Sequence, residues 1–356
     1  NSNGAPVQFL TQNFSTAFPT GLEIGCTNKV RLTSAQAVRN FLPQGTQPTY
    51  LTNGVITNPT KSNYNSVLAG QLVALTLNVR FDQTFASFGS STTNLKDLII
   101  TTGPFMGWKV SDFLADANKK IGGCTSISQA SYSDYNTTAD RINRAYDNGI
   151  SSGNFLACPM EVFCTTTPAI CFDSYTGTMT VNVTGGVPPY NVVSWTNVTG
   201  ASFNGTLSST MTNLHSGIYS VVVSDLSGKQ LTTSCTVDEP SKLNISVDNS
   251  PIACNGGTST VTVSASGGTP PYVGTGEFVV SAGTYTYTVT DSKGCQTSQT
   301  ITVVEPPQLT ATITATPILC NGGTSTITVS ANGGTPPYNG GGVEPETGVG
   351  IYNVVA

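Results

Sequence analysis

Between residues 1 and 168, four segments place apolar residues every three or four positions, the spacing of an amphipathic helix. "TSAQAVRNFLP" opens with the capping-box pair Thr33 and Gln36 and is stopped by Pro43. In "SVLAGQLVALTLNVRFD", Leu68, Leu72, Leu75 and Val79 share one face, while Val73 and Leu77 make the other side apolar too. Such a helix is expected to be central and buried. "KVSDFLADANKKIGG" carries the stripe Val110, Leu114, Ala117 and Ile121 and ends in Gly122-Gly123. "SDYNTTADRINRAYDNG" carries Tyr135, Ala139, Ile142 and Tyr146, with Asn148-Gly149 as the expected C-cap. Short strands are expected near "GLEIG" and "DLIITTG".

After residue 168 the period falls to two. In "TSTVTVSA", Val261, Val263 and Ala265 face one way and Ser/Thr the other; in "TYTYTVTD", Tyr285, Tyr287 and Val289 do the same. Strands of this kind, separated by Gly- and Pro-rich turns, predict small antiparallel sandwiches of immunoglobulin-like type.

The pattern also returns. "CNGGTSTVTVSASGGTPPY" at 254–272 recurs at 320–338 with two residues changed, so Cys254 and Cys320, like Gly267 and Gly333, stand 66 residues apart. Upstream, "TMTVNVTGGVPPY" at 178–190 matches at an offset of 82, whereas "SGIYSVVVSD" at 216–225 and Glu239-Pro240 match at 66. The first copy therefore carries 16 extra residues between Tyr190 and Tyr219. A fixed period of this length marks a repeat architecture. The expected fold class is multidomain: a mainly helical (α or α+β) domain over 1–168, then tandem all-β immunoglobulin-like sandwich repeats over 169–240 (with the insertion), 241–307 and 308–356. The third unit stops inside its counterpart of "GTYTYTVTD", which predicts that these residues are part of a longer repeat protein. In Gly-Gly-x-Pro-Pro-Tyr, the glycines permit positive φ, and the Pro-Pro pair is expected to hold a stiff extended conformation before the next strand.

Composition narrows the function. Charged residues make up only 9 % of the chain, leaving a surface rich in Ser, Thr, Asn and Gly. Residues 169–356 hold 3 Lys, no Arg and 10 acidic side chains, which argues against nucleic acid as a partner. The longest apolar stretch, "VLAGQLVALTLNV", is shorter than the roughly 20 residues that a bilayer requires. The chain starts at Asn1 without a charged-then-apolar leader, so a leader, if one exists, lies outside these residues.

The nine cysteines point to disulfides and thus to an oxidising compartment, the cell surface or the exterior. Each unit has an early cysteine (Cys171, Cys254, Cys320), and the first two have a late one (Cys235, Cys295). One disulfide per unit is expected, Cys254 with Cys295 and Cys171 with Cys235, with Cys320 left over. Cys26, Cys124, Cys158 and Cys164 form an even set with three possible pairings. Zinc is poorly served, since there is no CxxC pair and His215 is the only histidine.

Chemistry elsewhere is thin. His215, in "TNLHSG", is expected to be an exposed loop residue rather than a catalytic base. "YNGGGVEP" and "CNGGTST" lack the Lys-Ser/Thr ending of a phosphate-binding loop. Asp225 and Asp291 follow the same strand in two units; turn formation accounts for them better than calcium, which needs six to eight oxygens. Trp108 is expected to be a buried aromatic. Trp195, beside Asn197 and Asn204 in the insertion, is the one candidate ligand contact. No cofactor is implied.

Cys-Asn-Gly-Gly followed by Thr-rich strands, GGTPPY, AGTYTYTVTD, SKGC and a closing Glu-Pro resembles the SprB repeat of gliding-motility adhesins and other giant surface proteins of gliding bacteria, exported by the type IX secretion system. The resemblance covers about half the chain, strongest over 250–306. It departs from the pattern where Cys235 falls six positions later than the residue matching Cys295, and where the segment between Tyr272 and Tyr285 is short enough to have lost a strand. "LAGQLVALTLNVRFD" with "GWKVSDFLADANKKIGG" and "INRAYDNG" is similar to a helical domain recurring in surface proteins of the same bacteria. The resemblance implies a non-enzymatic segment of an extracellular bacterial adhesin or filament, stiff and disulfide-stapled, with surface glycans, other surface proteins or copies of itself as partners. Alternatives are a carbohydrate-binding accessory module of a secreted enzyme, tested by a glycan array with wild type and Trp195→Ala, and a polymerising filament subunit.

Overall fold

The computed structural model describes the chain except residues 1–4, 44, 53, 63, 89–92, 148–149, 152, 196–207, 321, 340–341 and 348–356. Two compact units emerge, one of residues 1–166, 179–211 and 218–236, the other of 167–178, 212–217 and 237–356.

The helical part of the first unit holds α1 (Ala5–Ala17), α2 (Ala35–Phe41), α3 (Val67–Thr84), α4 (Val110–Ile121) and α5 (Tyr132–Ala145). As its two apolar faces predict, α3 is central: Leu68, Leu72, Val73, Leu75, Leu77 and Val79 are buried, and it packs against α4, α5 and a strand. Ser66 caps it, accepting a hydrogen bond from the Ala69 amide. The α4 stripe is also buried, with Phe113 added and Leu114 only partly covered. At its end Gly122 has no room for a side chain, because a Cβ there would lie 2.1 Å from the Cys26 nitrogen. Ser131 and Asp134 form a reciprocal capping box at the start of α5.

Two helix ends differ from the sequence reading. The cap of α2 is Ser34 rather than Thr33, because Asn58, at φ 49°, takes both the Thr33 amide and its hydroxyl. Helix α5 closes on Tyr146, and Asn148-Gly149 lie outside the described residues.

Strands β1 (Leu22–Gly25), β2 (Lys29–Leu32) and β3 (Val55–Thr57) form a small sheet, antiparallel then parallel. Strands β4 (Ile99–Ile100), β5 (Tyr146–Asp147), β6 (Ile150–Ser151) and β7 (Leu156–Ala157) make two short pairs, β4 with β7 and β5 with β6. Strands thus occur in both stretches, "GLEIG" and "DLIITTG", where they are expected.

The first repeat is a sandwich of two three-stranded sheets built from β8 (Glu161–Thr167), β9 (Gly177–Thr184), β10 (Asn191–Trp195), β11 (Ser208–Leu214), β12 (Gly217–Ser224) and β13 (Gln230–Val237). One sheet has the order β11-β9-β8, the other β10-β12-β13. Alternation buries Met179, Val181 and Val183 on β9 and Tyr219, Val221 and Val223 on β12.

In the second repeat β14 (Asn244–Asn249), β15 (Ser259–Ser266) and β16 (Gly276–Val280) form one sheet, and β17 (Gly283–Thr290) pairs with β18 (Gln296–Val303). Val261, Val263 and Val289 are buried, with Tyr285 and Tyr287 packed against them. One strand has been lost between Tyr272 and Tyr285, as the short segment suggests: the first repeat has β10 and β11 between Tyr190 and Tyr219, whereas the second has β16 alone, and the counterpart of β10 is reduced to the single bridge from Val273 to Thr290. Gly274 and Gly276, both at positive φ, turn the chain soon enough after Tyr272 to leave room for β16.

The third repeat contributes β19 (Thr310–Ala315), β20 (Thr324–Asn332) and β21 (Gly342–Thr347) in one antiparallel sheet. Its register copies the second: Asn244 pairs with Ser266, and Thr310 with Asn332. The fold is therefore a small helical region followed by antiparallel sandwich repeats.

Candidate functional site

Each repeat has two chemically distinct poles. At one pole lies the Gly-Gly turn. Its glycines take the positive φ expected of them: 64° and 67° at Gly185 and Gly186, 73° and 58° at Gly267 and Gly268, 77° and 62° at Gly333 and Gly334. The Pro-Pro expectation needs correction. The bond is cis in all three copies, and the segment is a closed turn rather than an extended rod. The closure comes from the tyrosine: Tyr190 donates to the Gly185 carbonyl at 2.6 Å, Tyr272 to Gly267 at 2.6 Å, and Tyr338 to Gly333 at 2.5 Å. Removing one such hydroxyl, Tyr272→Phe, is expected to lower stability by about 1 kcal/mol, the net worth of one hydrogen bond, measurable by urea denaturation.

A buried carboxylate holds the same pole together. Asp225 accepts from the amides of Val187, Ser227 and Lys229, and Asp291 from those of Thr269, Lys293 and Cys295, all at 2.8–3.1 Å. Burial alone would raise the pKa of Asp291, but the backbone amides of Thr269, Cys295, Lys293 and Gly294 outweigh it and hold the group below the usual 3.8. Turn formation is thus the work of both aspartates. The Asp225 amide returns to the Lys229 carbonyl and the Asp291 amide to the Cys295 carbonyl, both at 3.0 Å, so Lys229 stands where the second repeat has Cys295.

The opposite pole carries the early cysteine and the Glu-Pro end. Glu239 accepts from the Asp173 amide at 2.7 Å, and Glu305 from the Gly256 amide at 2.6 Å. This role of the glutamates was not anticipated, although their 66-residue spacing was the available signal. From the Glu-Pro end a linker runs to the Gly-Gly pole of the following repeat. Gly268 donates to Ser241 at 2.8 Å, and Gly334 to Pro307 at 2.7 Å. The linker passes so close that a Cβ on Gly267 would lie 2.0 Å from the Lys242 oxygen, and one on Gly333 2.2 Å from that of Gln308. The early-cysteine pole of one repeat therefore adjoins the Gly-Gly pole of the next.

That geometry decides the disulfides, which differ from those expected. The bonds are Cys26–Cys124, Cys164–Cys235 and Cys171–Cys295, while Cys158, Cys254 and Cys320 carry exposed free thiols. Cys254 cannot reach Cys295, because it precedes β15 while Cys295 lies at that strand's far end. Eight residues of strand separate them by about 25 Å, against a limit near 7 Å for the Cα atoms of a disulfide. Cys171 is not paired with Cys235, because Cys164 on β8 lies opposite Cys235. The bonds from the Thr166 hydroxyl to Thr236 and from the Ala169 amide to Asp238 continue that register. Cys171 instead bonds Cys295 of the following repeat, which places a covalent link between repeats.

Near Cys171, His215 presents both ring nitrogens to acceptors: Nε2 meets an Asp173 carboxylate oxygen at 2.7 Å, and Nδ1 lies 3.0 Å from the Ser216 carbonyl. It occupies the turn between β11 and β12, as a loop residue, yet is held by an ion pair. The Asp173 carboxylate, then the Ser216 carbonyl, raise its pKa above 6.5. Being the only histidine, it gives one imidazole resonance, expected to titrate above 6.5 and to move back toward it in Asp173→Asn. The sign follows: the pair stabilises the fold at low pH and is lost as pH rises through the raised pKa. A resonance titrating below 6.5 would contradict the pair.

Trp195 ends β10 half-buried, opposite Val221, and its neighbours Asn197 and Asn204 lie outside the described residues. Trp108 packs on the helical core, edge-on to Phe105 at 5.5 Å. In the helical region an apolar cleft of about 620 Å³ is lined by Phe9, Leu10, Leu77, Phe81 and Phe88. Among the described residues no helix is long and apolar enough to cross a membrane.

The family model of the SprB repeat matches residues 164–200. Comparison with curated proteins gives no match. Among solved structures, the chain is similar to the three N-terminal domains of the highly immunogenic outer capsid protein of bacteriophage RB49, at 13 % identity and a TM-score of 0.31, over 49 % of this chain and 69 % of that one. It is also similar to the C-terminal 282-residue fragment of intimin, solved with the intimin-binding domain of the translocated intimin receptor. That match has 18 % identity and a TM-score of 0.23, over 44 % of this chain and 66 % of that one.

Proposed function

We propose that this chain is a non-enzymatic segment of a bacterial cell-surface adhesin, in which a helical module is joined to a stalk of sandwich repeats. The observation that carries the reading is the junction itself: a disulfide from Cys171 to Cys295 and a linker clasped by glycines tie one repeat to the next. Repetition lengthens such a stalk without posing a new folding problem at each step. The SprB-repeat match at 164–200 supports placing the chain with surface repeat proteins, and within them the reading extends to gliding-motility adhesins exported by type IX secretion. Its partners are then surface glycans or surface proteins, and no nucleic acid. Antibodies raised against residues 241–307 are expected to label intact, unpermeabilised cells and to lose that label after brief external proteolysis. Labelling only after lysis would overturn the proposal.

A further inference from the structure

The cysteines that remain free are placed by the repeat rather than scattered. Cys254 is the second unit's counterpart of Cys171, and Cys320 the third unit's. Cys171 is bonded forward to the late cysteine of the following repeat, and the first repeat, which has no repeat before it among these residues, carries Lys229 at that late position. Pairing within units would require a late cysteine at Lys229. Pairing between units does not.

A second observation locates the partner of Cys254. The Thr335 hydroxyl, on the Gly-Gly pole of the third repeat, donates to the carbonyl of Ala253, the residue before Cys254, at 2.9 Å. At the preceding junction the Cys295 sulfur lies 3.5 Å from the carbonyl of Ile170, the residue before Cys171. The pole that carries the late cysteine thus meets the same backbone carbonyl at both junctions. The 66-residue offset puts the third unit's counterpart of Cys295 beyond Ala356.

We propose that Cys254 and Cys320 are the open ends of a disulfide ladder, each bonding the late cysteine of the repeat that follows it, as Cys171 bonds Cys295. Formation is thiol–disulfide exchange with an oxidised dithiol. The late cysteine first takes one sulfur of the oxidant as a mixed disulfide; the Cys254 thiolate then attacks the protein sulfur and expels the oxidant's second thiolate. Two protein thiols and one oxidant disulfide become one protein disulfide and the reduced dithiol, with both electrons and both protons transferred to the oxidant. The ladder concerns connectivity alone and stands or falls independently of what the protein binds.

The test has two arms, each read by peptide mapping without reduction after alkylation of the native protein. In the 356-residue chain, the Cys171 peptide is expected joined to that of Cys295, with Cys254 alkylated; a Cys254–Cys295 peptide would overturn the ladder. In the second arm, residues 283–307 replace 350–356, giving the third repeat a late cysteine. Cys254 is then expected to become resistant to alkylation and to appear joined to the grafted cysteine, while Cys320 stays reactive. A bond from the grafted cysteine to Cys320, continued alkylation of Cys254, or covalent dimers through Cys254 would each overturn the proposal. The retained Cys171–Cys295 peptide verifies folding of the graft.

Discussion

Cys295→Ser lowers the thermal stability of the repeat region by roughly 2–5 kcal/mol, the usual cost of losing a native disulfide, whereas Cys254→Ser in the same chain changes nothing measurable. Cys171–Cys295 spans 124 residues, and because loop-closure entropy grows only with the logarithm of length, it removes about 1 kcal/mol more freedom from the unfolded chain than a bond from Cys254 to Cys295 would. Reductant added to wild type lowers this part of the melting curve at least as far as Cys295→Ser does, because it breaks Cys164–Cys235 as well as Cys171–Cys295. An isolated unit of residues 241–307 behaves differently: it contains Cys254 and Cys295 but not Cys171, and reduction leaves its melting unchanged. A reductant-sensitive isolated unit would mean that the two cysteines bond within one repeat. Calorimetry of the full chain and of the unit, with and without reductant, separates the outcomes.

Asp116→Ala destabilises the helical region by about 3 kcal/mol. Asp116, on α4, is buried and accepts from the Tyr135 hydroxyl at 2.6 Å and from the amides of Ile127 at 2.5 Å and Ser128 at 3.2 Å. Truncation leaves the buried Tyr135 hydroxyl without its acceptor, a penalty of about 1–3 kcal/mol, and frees the loop after α4. Burial pushes the Asp116 pKa up, but the hydrogen bonds from Tyr135, Ile127 and Ser128 prevail and hold it below 3.8, while burial and this carboxylate push Tyr135 up to about 12. A depressed carboxylate stabilises the fold above its unfolded pKa, and that contribution fades as pH falls through the folded one. The gap between wild type and Asp116→Ala is therefore widest near neutrality and narrows in acid. A gap that stays constant with pH would show that the carboxylate's charge plays no part.

What the sequence reveals and what it conceals have physical causes. Helix α3 and strands β15 and β17 are legible because a buried face imposes its period on the apolar positions. Helix α1 escaped notice: its Ser, Thr, Asn and Gln residues dilute the pattern of Val7, Leu10, Phe14 and Ala17. The period of 66 identifies equivalent residues but says nothing about which pole of one unit meets which pole of the next. For that reason it gave Cys171, Cys235 and Cys295 the wrong partners and assigned a bond to Cys254, which is a free thiol. Asp225 and Asp291 were legible as turn formers from their place after a strand, whereas the tyrosine bond that closes the Pro-Pro turn depends on a three-dimensional return across five residues. Thr33 and Ser34 are adjacent hydroxyls, and only the capture of Thr33 by Asn58 decides between them.

Electron microscopy of the purified, unreduced protein at several dilutions tests the stalk most directly. The account predicts thin rods with a regular repeat spacing whose length does not depend on concentration. Filaments of constant width that lengthen with concentration, or compact particles, would contradict it.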